Sequence, residues 1–156
     1  MTINDFVAEG NEHSGYMGFN GEYEFYAINE DTKTAYKFSL SDDAAEILDK
    51  MEFGDDYEDL IGDCTITQIE LQQADDAKLE GYVGKTLADL QADGINPNGY
   101  FSMGSLTLMA NDNLLTVYIE FSEADTAIYE SMNDPDIDEV IEAYKDCTIE
   151  SIYYVL

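Results

Sequence analysis

Hydrophobic positions change their period along this chain several times, and the same succession of periods runs through it twice. Each half opens with an [ST]-x-x-[DE] box, Thr2…Asp5 and Thr86…Asp89, followed by a glycine, Gly10 or Gly94, placed to close a two-turn helix in the left-handed conformation. A helix is therefore expected at the head of each half. Tyr23, Phe25 and Ala27 then alternate with Glu22 and Glu24, as Leu106, Leu108 and Ala110 alternate around Thr107, which is the period of a half-buried strand. The turn residues Asn29-Glu30-Asp31 and Asn111-Asp112-Asn113 lead into return strands carrying Tyr36, Phe38 and Leu40, or Val117, Ile119 and Phe121. Each half thus predicts a hairpin.

Ser39…Asp42 and Ser122…Asp125 read as further capping boxes. After them Ala44, Ile47, Leu48 and Met51, or Ile128 and Met132, recur at helical spacing. A third helical piece carries Tyr57, Leu60 and Ile61, or Ile137, Val140, Ile141 and Tyr144, the latter introduced by Asn133-Asp134-Pro135 with proline at a permitted early position. The stretches Cys64 to Leu71 and Cys147 to Val155 end the two halves as strands. Their apolar phase slips between Ile66 and Ile69 and between Ile149 and Ile152, the mark of a bulge.

The halves also match residue by residue. Thr2 to Gly10 with Gly15-Tyr16 lies over Thr86 to Gly94 with Gly99-Tyr100. Beyond one deletion, Gly21, Ala27, Phe38-Ser39, Asp42 and Ala44 lie over Gly104, Ala110, Phe121-Ser122, Asp125 and Ala127, and Asp63-Cys64-Thr65-Ile66 lies over Asp146-Cys147-Thr148-Ile149. The fold expected is α+β, a tandem duplication of an α-β-β-α-α-β unit with pseudo-two-fold symmetry, built on antiparallel sheet or sheets with helices packed on one face. Repeat 1 spans 1–72, a joint packed by Leu79, Tyr82 and Val83 spans 73–83, and repeat 2 spans 84–156, together one compact domain. Lys85 aligns with Met1, so the first copy enters its motif partway through. That predicts a longer product from which a leader has been removed, with a cytoplasmic protein starting at Met1 as the alternative.

Charge narrows the function. Among 156 residues stand 35 Asp and Glu against six basic residues, all lysine, for a net charge of −29. A chain without arginine and this acidic is unsuited to phosphate backbones and anionic membranes, which are held by cations and read by bidentate guanidinium groups. No nucleic-acid partner is expected. No stretch approaches the length of a membrane-spanning apolar segment, so no direct membrane insertion is expected either.

Candidate chemistry is sparse. His13, the only histidine, aligns with Pro97 in a loop and reads as exposed, and a single histidine removes multi-histidine metal sites. Cys64 and Cys147 hold equivalent positions and suit buried free thiols, a disulfide across the pseudo-axis, or, least well, a Cys-His pair. Two carboxylates can hydrolyse a glycosidic bond unaided, but among 35 acids no pair stands out. The run Asp134-Pro135-Asp136-Ile137-Asp138-Glu139 starts like a calcium loop and lacks its sixth-position glycine and twelfth-position glutamate, leaving Asp134, Asp136 and Asp138 as candidates for a weak divalent cation only. Gly94-Ile95-Asn96-Pro97-Asn98-Gly99 lies between a helix and a strand, the wrong context for a nucleotide loop. No cofactor and no catalytic residue are assigned.

Twelve tyrosines and seven phenylalanines are the other excess. Tyr23, Phe25, Tyr36 and Phe38 fall on predicted core faces. Tyr16, Tyr26, Tyr100 and Tyr118 fall in loops or on the opposite strand face, and if they converge they form a rigid amphipathic platform for a partner.

The duplicated Gly-[Lys/Met]-Thr-[Ile/Leu]-x-Asp-[Phe/Leu] opening, carried by Gly84 to Leu90 and Met1 to Phe6, resembles uncharacterised exported lipoproteins of gut-dwelling Gram-positive bacteria. The Gly-x-Thr helix followed by a sheet is also similar to the tandem repeats of beta-lactamase-inhibitor-like domains. The resemblance implies an extracellular or envelope-anchored location and assigns no residue a role. The function expected is a non-catalytic binding module with a protein or glycan partner. The alternatives are a calcium-linked extracellular domain, a carboxylate-only hydrolase, and an acidic surface adapted to salt with no site at all.

Overall fold

The computed structural model describes residues 1–19 and 22–156. It is α+β, with two antiparallel four-stranded sheets, and the chain divides into two compact units, Met1–Gln73 and Ala74–Leu156.

The first unit runs α1 (Ile3–Ala8), β1 (Glu12–Phe19), β2 (Glu22–Asn29), β3 (Thr34–Leu40), α2 (Asp42–Asp49), α3 (Tyr57–Ile61) and β4 (Ile66–Gln73), with the strands in sequential order in the sheet. The second runs α4 (Asp76–Glu80), α5 (Leu87–Ala92), β5 (Pro97–Ser102), β6 (Leu106–Asp112), β7 (Leu115–Phe121), a one-turn 3-10 helix (Glu123–Asp125), α6 (Thr126–Glu130), α7 (Ile137–Tyr144) and β8 (Ile149–Val155), again in sequential strand order. From α1 and from α5 onward the two units share one order of elements.

Both opening helices are held as their sequences require. The Asp5 amide donates to Thr2 Oγ1 at 3.2 Å while the Thr2 amide donates to Asp5 Oδ2 at 2.9 Å, and Asp89 and Thr86 repeat the exchange at 3.2 and 3.0 Å. Each pair satisfies two amides that a helix start leaves without partners. Gly10 and Gly94 follow with φ of 90° and 93°, which a β-carbon would disfavour.

Side chains then sort by strand face. In the first unit Phe25, Ala27 and Phe38 pack with Ile3 and Phe6 of α1, Ala44 and Leu48 of α2, Ile61 of α3 and Cys64. Phe6 meets Tyr36 edge-on at 5.0 Å between ring centres and Phe25 stacks on Phe38 at 5.6 Å. In the second unit Leu106, Leu108, Ala110, Val117, Ile119 and Ile152 pack with Leu79, Leu87, Leu90, Val140 and Tyr144. The buried Tyr144 keeps its hydroxyl satisfied by donating to the Asp125 carbonyl at 2.6 Å and accepting the Tyr129 amide at 3.2 Å. In each unit the helices cover one sheet face and leave the other outward.

Three expectations are corrected. Each unit has a strand that the pattern did not predict, β1 or β5, ahead of the hairpin. Both are edge strands with a register shift, at His13/Gly15 and at Pro97/Gly99, and edge position tolerates the glycine and proline that made these stretches read as loops. The hairpin of the second unit is also shorter. Asn29 pairs with Thr34 across four residues but Asp112 pairs with Leu115 across two, with Asn113 at a φ of 54° that asparagine tolerates. Leu40-Ser41, not Phe38-Ser39, therefore stands where Phe121-Ser122 stands, and Ser41, not Ser39, precedes α2. Within the stretch read as a packed joint, 73–83, the chain from Ala74 is part of the second unit, forms α4 there and buries Leu79 and Tyr82. Finally, α7 is capped by Asp136, so Pro135 stands before the cap and not inside the first turn. The bulges in the last strands are where the phase slip placed them, with Thr67 and Glu150 as the extra residues opposite Ser39/Leu40 and Glu120/Phe121.

Candidate functional site

Strand pairing builds one continuous aromatic stripe on the outward face of the second sheet. Met109, Tyr118 and Tyr153 stand in register across β6, β7 and β8, while Phe101 on β5 pairs with Thr107 one row away. The Phe101 and Tyr118 ring centres are 5.3 Å apart and those of Tyr118 and Tyr153 5.9 Å apart, both pairs inclined at 65°. Such edge-to-face pairs hold one another's orientation, so the stripe is preorganised. Met109 completes the row over Gly99, where a β-carbon would stand 2.9 Å from its terminal methyl, so glycine there leaves the methionine its place. Tyr153 is exposed, Phe101, Met109 and Tyr118 are half-buried, and Met103 in the turn after β5 is almost fully exposed.

A carboxylate is fixed beside the rings. Glu120 accepts from Ser151 Oγ at 2.6 Å and from the Tyr153 hydroxyl at 3.0 Å. Burial first, and then the hydrogen bond to Glu120, push the Tyr153 phenol above its ordinary pKa, so this hydroxyl remains a donor through neutral pH.

The first unit presents a different outward face on the same scaffold. Lys37 Nζ pairs with Glu24 Oε1 at 2.8 Å and the Tyr26 hydroxyl donates to Glu24 Oε2 at 2.8 Å. The hydrogen bond from Lys37, then that from Tyr26, hold the Glu24 carboxyl below its usual value, and the Glu24 bond raises the Tyr26 phenol. This face is an ion-paired polar surface.

The sequence candidates are thus separated. Tyr118 lies on the outward stripe. Tyr100 points to the opposite face of the same sheet, packs beside the core, meets Tyr129 at 5.5 Å and donates to the Pro135 carbonyl. Tyr26 belongs to the ion-paired face of the first unit. Tyr16 and His13 are on β1, and their side chains lie outside the described residues, as does Gly21. Asp136 caps α7, accepting the Glu139 amide at 2.9 Å, and Asp134 and Asp138 are exposed. Among the described residues no three His, Cys, Asp or Glu side chains gather to hold a metal ion. Phe101 and Tyr153 were missed by sequence reasoning because Phe101 falls in the unpredicted strand β5 and Tyr153 changes face through the bulge at Glu150. The alternation after that bulge was the available signal.

The thiols are in less reactive settings. Both cysteines are free, Cys64 buried in the first core and Cys147 half-buried at an open cleft shared with Ser122, Asp125 and Asp146. Burial, then the neighbouring carboxylates, push both thiols above their ordinary pKa, which disfavours the nucleophilic thiolate. Matched against protein-family models, curated proteins and solved structures, the chain finds no counterpart in any of the three.

Proposed function

We propose that this chain is a non-catalytic binding module, exported or envelope-associated, made of two copies of one ancestral α+β unit, and that its second copy carries the recognition surface. The observation that supports it is the preorganised Phe101–Tyr118–Tyr153 stripe beside Glu120. Aromatic side chains lose little freedom on binding and are the usual anchors of protein interfaces.

The partner that fits best is a protein presenting lysine or arginine side chains. Inclined rings form notches with electron-rich faces, suited to cations, while a sugar ring stacks best on a flat open face. The net charge of −29 draws a basic partner toward the surface. Raised thiol pKa values fit the absence of a catalytic role for the cysteines, and the shared element order and shared bulges fit duplication.

The test is a paired screen of the chain on a peptide array and a neutral-glycan array. Lys- or Arg-containing peptides are expected to be retained, with binding about tenfold or more weaker for Tyr118→Ala and Tyr153→Ala and reduced by salt. Retention of glycans alone would replace the protein partner, and binding indifferent to both substitutions would remove the stripe as the surface. Fractionation of the source cells with external protease tests the location, cleavage in intact cells being the expected result.

A further inference from the structure

Strand register sets the two outward faces on one grid. Phe25 pairs with Phe38 as Leu108 pairs with Ile119, and the bulge follows at Ser39/Leu40 as at Glu120/Phe121. Glu24 therefore corresponds to Thr107, Lys37 to Tyr118 and Ser39 to Glu120. Each grid carries one acid and one hydroxyl on its two middle strands, with the sides exchanged. In the first unit the acid is Glu24 on β2, and Lys37 on β3 gives it an ammonium at 2.8 Å. In the second the acid is Glu120 on β7, and Tyr118 holds the position of the lysine.

None of the strands β5 to β8 contains a lysine. Among the described residues no cation pairs with Glu120, which is bound only by the neutral hydroxyls of Ser151 on Oε2 and Tyr153 on Oε1. A carboxylate has about four lone-pair sites, so each oxygen keeps acceptor capacity.

Directly across from Glu120 stands Thr107. It lies between Leu106 and Leu108, which face the core, and so points outward, yet it is only 4% exposed. The rings of the stripe are the cause. Phe101 and Tyr118 come from β5 and β7, strands about 10 Å apart with β6 between them, but their ring centres are 5.3 Å apart. They lean together over β6 and roof Thr107. Among the described residues the Thr107 hydroxyl has no hydrogen-bond partner, an arrangement that costs free energy and calls for an explanation.

We propose that Glu120 and Thr107 form the specificity subsite of the stripe, a seat for one primary ammonium, the lysine side chain of a partner protein. That lysine supplies from outside the cation that Lys37 supplies to Glu24 within the first unit. The seat rests on the reading of the stripe as the recognition surface and narrows its ligand. An ammonium brings three donors on a slender stem, and the acceptors are also three, one on each Glu120 oxygen and the Thr107 hydroxyl. A guanidinium is broad and donates only in its own plane, and a trimethylammonium donates nothing. Phe101, on the edge strand, is the ring that turns aside to admit the ammonium, and the net charge of −29 favours its approach.

The experiment titrates the full chain with the blocked peptide Gly-Lys-Gly and with its arginine and trimethyl-lysine counterparts, reading the Thr107 methyl and the Glu120 and Ser151 amides by NMR. The lysine peptide should bind about fivefold or more tightly than either counterpart. Thr107→Val, which removes the hydroxyl and keeps the shape, should abolish that preference, Thr107→Ser should keep it, and Glu120→Gln should weaken the lysine peptide about tenfold. Equal or tighter binding of either counterpart to the unaltered chain overturns the seat without recourse to any variant, and so does a Thr107 methyl that the lysine peptide leaves unmoved. A preference that survives in Thr107→Val overturns it as well. If Tyr118→Ala and Tyr153→Ala still weaken binding in those cases, the stripe stands and only the seat falls; if neither substitution matters, both fall.

Discussion

Truncating the two equivalent isoleucines, Ile152→Ala and Ile69→Ala, isolates what α4 contributes. Both sit at one position of a four-stranded sheet, each opposite a buried core residue, so strand geometry and local pairing are matched. A fully buried Ile→Ala change costs about 2–5 kcal/mol, the sum of lost transfer energy and an unfilled cavity. Ile152, at 6% exposure under α4, should lose about 3 kcal/mol on that scale. Ile69 has little over half of its surface buried, and no cavity can form where solvent already stands, so about 1 kcal/mol is expected. In a unit of about 80 residues, each kcal/mol moves the midpoint by about 4–8 °C. The second unit should therefore melt about 12 °C or more lower in Ile152→Ala, and the first unit only about 4–8 °C lower in Ile69→Ala.

The assay is heating followed by residue-resolved NMR, with Phe25 and Phe38 reporting on the first core and Val117 and Tyr144 on the second. Equal losses in the two variants would refute the reasoning, because they would mean that β4 is covered as fully as β8. A loss below about 1 kcal/mol for Ile152→Ala would refute it from the other side, by showing that α4 adds nothing to the second core.

Four further outcomes follow from the site geometry. Thr2→Ala and Thr86→Ala should each remove about 1 kcal/mol, read by the same NMR melts in the first and second unit respectively. Asp112 is raised by burial but lowered further by Lys78 and Tyr154, so its folded carboxyl lies below the ordinary value of about 3.9. Its stabilising contribution is present above that pH and lost as acid titrates the folded group, and Asp112→Asn should remove about 1–2 kcal/mol together with this part of the acid limb. Tyr82, held by its bond to Asp93 and then by burial, is pushed up to about 12, so its contribution is complete below pH 10 and lost as pH rises toward 12. Ultraviolet tyrosinate titration of Tyr82→Phe should lack that late step. Maleimide labelling of the native chain should modify half-buried Cys147 before buried Cys64, and slowly at neutral pH.

What could be read from the sequence was what local chemistry dictates within a few residues. The Thr2…Asp5 and Thr86…Asp89 boxes, the closing glycines, the amphipathic helices and the bulges at Thr67 and Glu150 each leave a signature in spacing alone. The strands β1 and β5 left none, because an edge strand is held by one neighbour and can be built from glycine, proline and asparagine that otherwise signal a loop. The hairpin lengths were also illegible. Removing two turn residues keeps the alternation of both strands intact, so Phe38 was set against Phe121 although the pairing places Leu40 there. The stripe followed the same rule: Tyr118 was found by alternation, while Phe101 and Tyr153 depended on an unpredicted strand and a bulge.

The two units carry different outward faces on the same order of strands, and the difference costs neither core anything. Outward residues of a sheet touch one another and solvent, so Glu24, Tyr26 and Lys37 on one unit, and Met109, Tyr118 and Glu120 on the other, can change while Phe25 and Phe38, or Leu108 and Ile119, stay packed. Ion pairing makes the first face self-satisfied: the Lys37 ammonium and the Tyr26 hydroxyl are both spent on Glu24. In the second, Ser151 and the Tyr153 hydroxyl are bound to Glu120 while the rings of Phe101, Tyr118 and Tyr153 keep apolar surface outward. A partner that releases water from those rings gains free energy, whereas one docking on the first face must first break the Glu24–Lys37 pair. If the proposed recognition surface is that of the second unit, exchanging Tyr118 and Tyr153 for lysine and glutamate should give it the inert character of the first.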